Sequence, residues 1–167
     1  PTTAASTPTV PADRVLSIFS DAYTNQGGAS YPYWGQPAGY IAPATVQIGT
    51  PGNNTLLVDN LSYQGVQLSS NINVSSMTTL HVDIWTPNCT TFELYLIDSA
   101  PVGVPPAEQA VSVSLTQNGW NSIDIPMSSY NTLALTAVQQ FKFVGTPAGS
   151  VVYLDNIYFT KPTPTSV

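Results

Sequence analysis

Short runs in which hydrophobic and polar residues alternate cover most of the chain between its two ends. In "TTLHVDIWT" the apolar residues Leu80, Val82 and Ile84 occupy every second position, and "TFELYLIDS" repeats the pattern. Such alternation places apolar side chains on one face of a β-strand and polar side chains on the other face. Strands that keep one solvated face are typical of antiparallel sheets.

Nine runs of this kind are rich in β-branched and aromatic residues and predict nine β-strands. They are "RVLSIFSDAY", "TLLVDNL", "YQGVQLSS", "TTLHVDIWT", "TFELYLIDS", "AVSVSLT", "WNSIDIPM", "FKFVG" and "VVYLDNIYF". Segments containing Gly, Pro and Asn separate them, and only "SSYNTLALTAVQQ" has room for a helical turn. The pattern predicts an all-β fold, an antiparallel β-sandwich of two sheets and of jelly-roll type.

The two ends of the chain differ from its middle, because residues 1–12 and 161–167 are rich in Thr, Pro and Ser. Segments of this composition stay extended and do not pack a core. We interpret them as linkers on either side of one folded domain, residues 13–160. This interpretation favours a module of a larger, multimodular secreted protein, and ordinary frayed termini are the alternative.

The charge balance of the chain narrows the range of partners. Charged residues make up only 7% of the 167 residues, and the formal net charge is −6. The three basic residues, Arg14, Lys142 and Lys161, cannot form a basic patch, so nucleic acid and anionic membranes are poor partners. The single cysteine, Cys89, excludes an internal disulfide and a cysteine zinc cluster. We expect an extracellular monomer whose uncharged polar surface contacts neutral, hydroxyl-rich ligands.

One loop combines the groups that a saccharide site needs, namely flat aromatic surfaces for the C–H faces of sugar rings and polar groups for the hydroxyls. The segment "SYPYWGQPAGY" places Tyr31, Tyr33, Trp34 and Tyr40 among prolines and glycines. Aromatic residues crowded into a polar loop are harder to explain as core than aromatic residues in strands. We therefore expect this loop to contact sugar, and the alternative is that Trp34 closes one end of the sandwich.

A second candidate surface is the row of His81, Asp83 and Trp85, which occupies the non-core positions of its strand. A Trp in this place is either a stacking platform for sugar or cover for a sheet edge. If further strands adjoin in the same sheet, their polar positions extend the row with Tyr63, Gln67, Glu93, Tyr95, Gln140 and Lys142. We then expect one groove lined by aromatic and amide groups. Trp120 is expected in the core, because a short apolar run follows it.

Four segments together resemble a known family. "VLSIFSDAYTN" near the start and "VVYLDNIYF" near the end, with "MTTLHVDIWTP" and "NGWNSIDIPMSSY" between them, resemble the framing strands of β-sandwich carbohydrate-binding modules of the galactose-binding-like group. Such modules are attached to bacterial glycoside hydrolases, including laminarinases and other β-glucanases. The resemblance covers residues 13–160. It implies a jelly roll without catalysis of its own, a structural calcium, and a saccharide site on the concave face or in the end loops.

A carboxylate interrupts the apolar strand "VVYLDNIYF", where strict alternation places Asp155 on one face with Ile157 and Phe159. A buried carboxylate without a partner costs several kcal/mol, and the chain has almost no Arg or Lys to pair with it. Because Ca²⁺ accepts carboxylate and carbonyl oxygens together, we expect a structural calcium at Asp155, with oxygens of "GTPGNNT" or Gln47 completing its shell. The resemblance implies Asp21 as the second ligand, since related modules bring their first and last strands together around the ion. The alternative is that Asp21 caps a turn and that Asp155 turns to solvent or accepts backbone N–H bonds.

Two other functions are compatible with the sequence. A small β-jelly-roll glycanase needs two carboxylates facing each other across the scissile bond, and Asp83 and Glu93 lie on either side of the turn "TPNCTT". The only other glutamate, Glu108, lies in the loop "GVPPAEQA", and this scarcity argues against an enzyme. A structural or adhesive extracellular β-domain explains the linkers equally well but not the aromatic loop. The sequence therefore favours a non-catalytic module that binds a neutral polysaccharide. The resemblance implies that it anchors a tethered glycoside hydrolase to a plant, algal or fungal polysaccharide, with β-glucan preferred.

Overall fold

Eleven β-strands and two 3₁₀ turns form the regular structure of residues 1–100 and 105–164, the part of the chain that this computed structural model describes. The strands are β1 (Val15–Phe19), β2 (Ala29–Ser30), β3 (Ala44–Ile48), β4 (Asn53–Leu61), β5 (Tyr63–Ile72), β6 (Thr79–Trp85), β7 (Thr91–Asp98), β8 (Ala107–Ser114), β9 (Trp120–Pro126), β10 (Val138–Thr146) and β11 (Ser150–Thr160). The 3₁₀ turns span Ala12–Arg14 and Met127–Ser129. Within these residues no helix is long and apolar enough to cross a lipid bilayer.

All nine predicted strands are confirmed, as is the all-β sandwich of two antiparallel sheets. The pattern does not predict β2 and β3, which are two and five residues long and have no fully buried position. The turn expected near "SSYNTLALTAVQQ" is the 3₁₀ turn Met127–Ser129. Short strands at a sheet edge bury little side-chain area, so their sequences carry a weak alternation signal.

The strands form two sheets. A six-stranded sheet has the order β3-β4-β11-β6-β9, with β1 also paired to β11, and a five-stranded sheet has the order β2-β5-β10-β7-β8. Along one edge of β11, β4 pairs with residues 150–154 and β1 pairs with residues 157–160. Asp155 and Asn156 therefore lie where β11 passes from one neighbouring strand to the other.

The core between the sheets is built from the apolar positions that the alternation predicts. Six of these positions, at most 1% exposed, are Leu80, Val82, Ile84, Phe92, Leu94 and Leu96. Full burial of one such side chain contributes roughly 1.5–3 kcal/mol relative to exposure. Cys89 is a free thiol buried in the same core, where it serves as a small apolar residue.

The strands β6 and β7 follow one another along the chain but lie in different sheets. His81, Asp83 and Trp85 therefore face outward on one side of the sandwich, whereas Glu93 and Tyr95 face outward on the other side. The prediction that these residues line a single groove is wrong. Alternation determines which face of a strand meets the core, but it does not determine which sheet the strand joins.

Residues 1–11, which belong to the predicted linker of residues 1–12, lie along the outer face of the six-stranded sheet. Three of their carbonyl groups accept hydrogen bonds from side chains of the domain: Thr3 from Trp120 Nε1 (2.8 Å), Ser6 from Asn156 Nδ2 (3.2 Å) and Val10 from Tyr23 Oη (2.7 Å). Ala5 is buried between these points. A segment of this composition forms no core of its own, yet it packs here because the sheet supplies donors for its carbonyls. Residues 3–10 are called the N-terminal strap below.

Candidate functional site

The outer face of the five-stranded sheet carries a groove with a volume of ≈ 620 Å³. Its lining residues are Trp34, Ser62, Tyr63, Ile97, Pro106, Glu108, Gln140, Lys142 and Val144. On the same face, the strand register places Gln67 beside Gln140, Tyr95 beside Lys142 and Glu93 beside Val144. The prediction that the polar positions of β5, β7 and β10 share one face is therefore confirmed. The sequence pattern does not identify Ser62, Ile97, Pro106, Glu108 and Val144 as groove residues, and Glu108 lies on β8 and not in a loop.

The aromatic residues of the 31–40 loop do not act together. Trp34 lines the groove, so the alternative in which it closes one end of the sandwich is wrong. Tyr31 packs against the core, and burial raises the pKa of its phenol to about 12. Tyr33 is 64% exposed and contacts the ring of Tyr40 at a centroid distance of 5.2 Å. Of the four aromatic residues of the loop, only Trp34 lines the groove.

Hydrogen bonds on both sides of Trp34 hold the loop in place. The main-chain N–H of Trp34 donates to Oε1 of Gln36 (2.6 Å), and Tyr63 Oη donates to the main-chain oxygen of Trp34 (2.9 Å). One residue along β5, Gln64 Nε2 donates to the main-chain oxygen of Pro32 (3.2 Å). Gln36 and Gln64 are both buried, so water does not compete for these bonds. The indole is therefore positioned before any ligand arrives.

The charged groups of the groove neutralise one another. Lys142 Nζ lies 3.1 Å and 3.2 Å from the two carboxylate oxygens of Glu108. The same ammonium group lies 4.0 Å from the centroid of the Tyr95 ring, a cation–π geometry. The groove lining therefore carries no net charge, although it holds the acceptors and donors of an amide, a hydroxyl and an ion pair.

His81 and Asp83 lie on the outer face of the opposite sheet and are engaged in internal contacts. His81 Nδ1 lies 2.7 Å from Asp124 Oδ1, and its Nε2 lies 3.1 Å from Asp83 Oδ1. The imidazole stacks on the ring of Tyr158 at 4.7 Å, and Asp83 also accepts a hydrogen bond from Asn156 (2.8 Å). The N-terminal strap runs over both residues. The polar atoms that were expected to bind sugar are therefore used within the domain.

The two carboxylates favour the protonated form of His81. Burial lowers the pKa of the imidazole, but the hydrogen bonds and charges of Asp83 and Asp124 outweigh burial and raise the pKa above its ordinary value of 6.5. A neutral imidazole donates from only one nitrogen, whereas both nitrogens here face a carboxylate. In its protonated form His81 donates to both acids on this face, from Nδ1 to Asp124 and from Nε2 to Asp83.

We predict that the folding stability falls as pH rises through the pKa of His81. Because that pKa is higher in the folded than in the unfolded chain, the stabilisation is complete below the unfolded value and is lost above the folded value. Thermal unfolding between about pH 5.5 and pH 8.5 tests this, and the Tm of the wild type should fall more steeply with pH than the Tm of His81→Gln. Equal slopes for the two proteins would assign the pH dependence to other groups.

Trp85 and Trp120 form an aromatic patch on this face. The two residues are register partners on β6 and β9, and the ring of Trp85 meets that of Tyr153 edge-on at a centroid distance of 5.7 Å. The prediction that Trp120 lies in the core is wrong. Trp120 is an odd number of residues from the inward-facing Ile125, so strand parity turns it outward, where its N–H reaches the N-terminal strap.

The carboxylate pair of the glycanase alternative does not exist in this fold. Asp83 is buried on the six-stranded sheet, and Glu93 lies on the outer face of the five-stranded sheet. On that outer face, Glu108 is four residues along β8 from the register partner of Glu93, Ser112, which corresponds to about 13 Å. Glycosidases place their two carboxyl groups roughly 5–9.5 Å apart.

A β-bulge explains the position of Asp155. The pairing of β11 with β6 shifts between Asp155 and Tyr158, and Asn156 has a left-handed φ of 50°. The extra residue reverses the alternation, so Asp155 shares the outer face with Tyr153, whereas Ile157 and Phe159 face the core. The prediction from strict alternation, that Asp155 lies on one face with Ile157 and Phe159, is therefore wrong.

Amide groups surround the two acids that were predicted to bind metal. Asp155 accepts hydrogen bonds from the main-chain N–H of Asn156 (2.7 Å) and from Asn53 Nδ2 (2.6 Å). Asp21 accepts two bonds of 2.8 Å from the main chain and side chain of Asn54. The "GTPGNNT" loop, which contains both asparagines, thus lies beside these acids. A cavity of ≈ 110 Å³ is bordered by Asp21, Asn53, Asn156 and the N-terminal strap.

Negative charge accumulates around Asp155. Burial, together with the charges of Asp83 and Asp21, raises the pKa of Asp155 to about 6, while its hydrogen bonds lower it. In the described part of the chain, ion pairs are formed by His81 and Lys142, and neither pairs with Asp21 or Asp155. No three His, Cys, Asp or Glu side chains within residues 1–100 and 105–164 converge on one metal position. Amide and main-chain oxygens would therefore complete any shell, and Ca²⁺ accepts such ligands.

Comparison with solved structures identifies molecules of the same architecture. No protein-family model and no curated protein matches the chain. The family 11 carbohydrate-binding module of a cellulosomal cellulase of Clostridium thermocellum has a TM-score of 0.61 at 16% sequence identity, over 92% of this chain and 98% of that chain. The family 11 module from Clostridium thermocellum in complex with a β-1,3-1,4-mixed-linked tetrasaccharide has a TM-score of 0.59 at 17% identity, over 91% and 97%. A family 30 carbohydrate-binding module has a TM-score of 0.60 at 17% identity, over 89% and 99%.

At this level of identity the comparison concerns the fold. It agrees with the all-β sandwich of two antiparallel sheets. The fold of this chain is that of the β-sandwich carbohydrate-binding modules, which are attached to glycoside hydrolases.

Proposed function

We propose that this chain is a non-catalytic carbohydrate-binding module that binds a neutral polysaccharide in the groove of the five-stranded sheet. The observation that carries the proposal is the indole of Trp34, which lines the groove together with the amide of Gln140 and the hydroxyl of Ser62. A pyranose ring stacks its C–H face on such a surface, and neighbouring polar groups bond its hydroxyls. The fold supports the same function.

The charge of the groove favours an uncharged ligand. The ammonium group of Lys142 forms an ion pair with Glu108. A uronate or sulfate group would have to break this ion pair before it could bind to Lys142. Neutral hydroxyls can instead share the outer lone pairs and N–H groups of the pair. A neutral hexose or pentose polymer therefore suits the groove better than an acidic polymer.

We further propose β-glucan as the preferred polymer and a secreted, multimodular glycoside hydrolase as the parent protein. One module with this fold is in complex with a β-1,3-1,4-mixed-linked tetrasaccharide, which supports the choice of β-glucan. The Thr- and Pro-rich residues 161–167 have the composition of a linker between modules. In this role the domain, as a monomer, would hold a tethered catalytic domain against plant, algal or fungal polysaccharide.

We predict weak binding that does not depend on salt. A shallow groove with one stacking ring and solvated hydrogen bonds should give a Kd of about 10–1,000 μM. Affinity electrophoresis against soluble glucans, xylans and mannans at low and high salt measures both quantities. Because the ligand is uncharged, the mobility shift should be equal at the two salt concentrations, and a steep salt dependence would contradict a neutral ligand. A reducing-sugar assay on the same polymers is the control, and release of chain ends would contradict a binding-only role.

We also propose that Asp155 and Asp21 hold a structural Ca²⁺ ion. Asn53 now donates from its Nδ2 to Asp155, so its amide would have to reverse to offer its oxygen to the ion, and main-chain oxygens of residues 49–55 would supply the remaining ligands. The ion would offset the negative charge at the point where the pairing partner of β11 changes from β4 to β1. It would take no part in sugar binding. The groove lies on the opposite sheet, so the two functions are separable by mutation.

A further inference from the structure

Gly65 is the third of the ten residues of β5, and its backbone there does not require glycine. It is not among the residues with positive φ, and its neighbours on both sides pair regularly with β10. A glycine in a strand interior weakens the strand, because it packs no side chain and loses more entropy on folding. Another feature of the molecule must therefore account for the missing side chain.

The missing side chain makes room for the indole of Trp34. A Cβ atom added to Gly65 would lie 2.5 Å from Cε3, 2.5 Å from Cζ3 and 2.6 Å from Cδ2 of Trp34. Three consecutive atoms of a six-membered ring are nearly equidistant only from a point close to the axis of that ring. The six-membered ring of the indole is therefore centred over Gly65, with one face against β5. The opposite face is turned away from the sheet.

The loop does not leave the indole free to move away. The main chain of Trp34 is bonded on one side to Gln36 and on the other to the hydroxyl of Tyr63. Tyr63 precedes Gly65 by two residues on the same face of β5. The hydroxyl that holds the main chain of Trp34 and the glycine beneath its ring therefore belong to one strand. Carbon atoms in contact prefer a separation of about 3.5–4.0 Å, so a methyl group at position 65 would displace the ring by roughly 1 Å.

We propose that Gly65 is the positioning residue of the saccharide platform. Because Gly65 has no Cβ atom, the indole of Trp34 packs flat against the backbone of β5. Its opposite face is then exposed to the groove. This inference rests on the proposed function of the groove and adds to it the residue that sets the orientation of the stacking surface. A side chain at position 65 would lift or tilt the indole. The sugar ring could then no longer stack on the full face of the indole.

The test compares two glycine-to-alanine variants. Gly65→Ala should lower the affinity for the best polysaccharide by about threefold to tenfold, the scale of one aromatic stacking contact. Gly119→Ala is the matched control, because a Cβ atom there meets nothing within 4 Å and the position has no positive φ. Calorimetric titration measures the affinity, and near-ultraviolet circular dichroism reports the surroundings of the indole. Unchanged affinity and spectrum in Gly65→Ala would overturn the proposal.

A double-mutant cycle shows whether Gly65 acts through Trp34. In a Trp34→Ala background, Gly65→Ala should cause no further loss of affinity, whereas an equal additional loss would overturn the proposal. If Gly65→Ala alone does not fold, adding Trp34→Ala should restore folding. If folding is not restored, the contact between position 65 and the indole is not the cause of the defect, and the proposal is contradicted. If the wild type binds no polysaccharide, the proposed function fails. The spectral difference between Gly65→Ala and Gly119→Ala then still decides whether Gly65 positions the ring.

Discussion

Replacement of Trp34 by alanine is expected to lower the affinity for polysaccharide by about 1–3 kcal/mol, or roughly five- to 150-fold in Kd. The indole is the aromatic ring in the groove that lies flat on the sheet, so its removal leaves the hydroxyl-binding groups without a stacking surface. The Tm should change little, because the ring lies on the outer face and not among the buried core residues. Calorimetric titration and thermal unfolding of the same sample measure the two effects.

Trp85→Ala is the matched control, since it removes the same side chain from the outer face of the opposite sheet. The ring of Trp85 packs edge-on against Tyr153, and neighbouring groups are covered by the N-terminal strap. We expect Trp85→Ala to lower the Tm while the affinity stays unchanged. The reverse result, in which Trp85→Ala loses affinity and Trp34→Ala does not, would move the site to the six-stranded sheet.

The parts of the fold that depend on side-chain alternation were predictable. Each long strand buries one face, so residues such as Val82 and Leu94 reveal both the strand and the direction of the core. The shared outer face of β5, β7 and β10 also follows from parity once these strands are neighbours. Short edge strands leave no such trace, because little of their side-chain area is buried.

The arrangement of strands in space was not predictable from the same pattern. Strand parity predicts that both His81 and Glu93 face away from the core. Because the chain crosses to the other sheet after β6, the two residues lie on opposite sides of the sandwich. A single inserted residue, Asn156, also changes the neighbours of Asp155, because a bulge reverses alternation without altering composition. The contact between Trp34 and Gly65 joins a loop to a strand about thirty residues away, and only the folded backbone brings the two together.

Chelation should show whether the acids of the bulge hold an ion. If Asp155 and Asp21 bind Ca²⁺, EDTA removes a ligand that binds only the folded state, and the Tm should fall by roughly 5–12 °C. Asp155→Asn should lower the Tm by a similar amount and abolish any further effect of EDTA. Asp21→Asn should behave alike, and the two substitutions should be far from additive because they share one ion. Asp13→Asn, at an exposed acid, controls for the change in net charge.

The sign of the Asp155→Asn effect separates the cation from the amide donors. With a bound ion, the substitution removes a charged ligand and destabilises the domain. Without an ion, it removes a buried carboxylate whose pKa is raised to about 6, so at pH 8 the Tm should stay unchanged or rise. A rise in Tm, with no effect of EDTA and no ion in native mass spectrometry, would show that Asn53 and Asn156 alone satisfy the acid. Sugar binding should survive in both cases, because the bulge and the groove lie on opposite sheets.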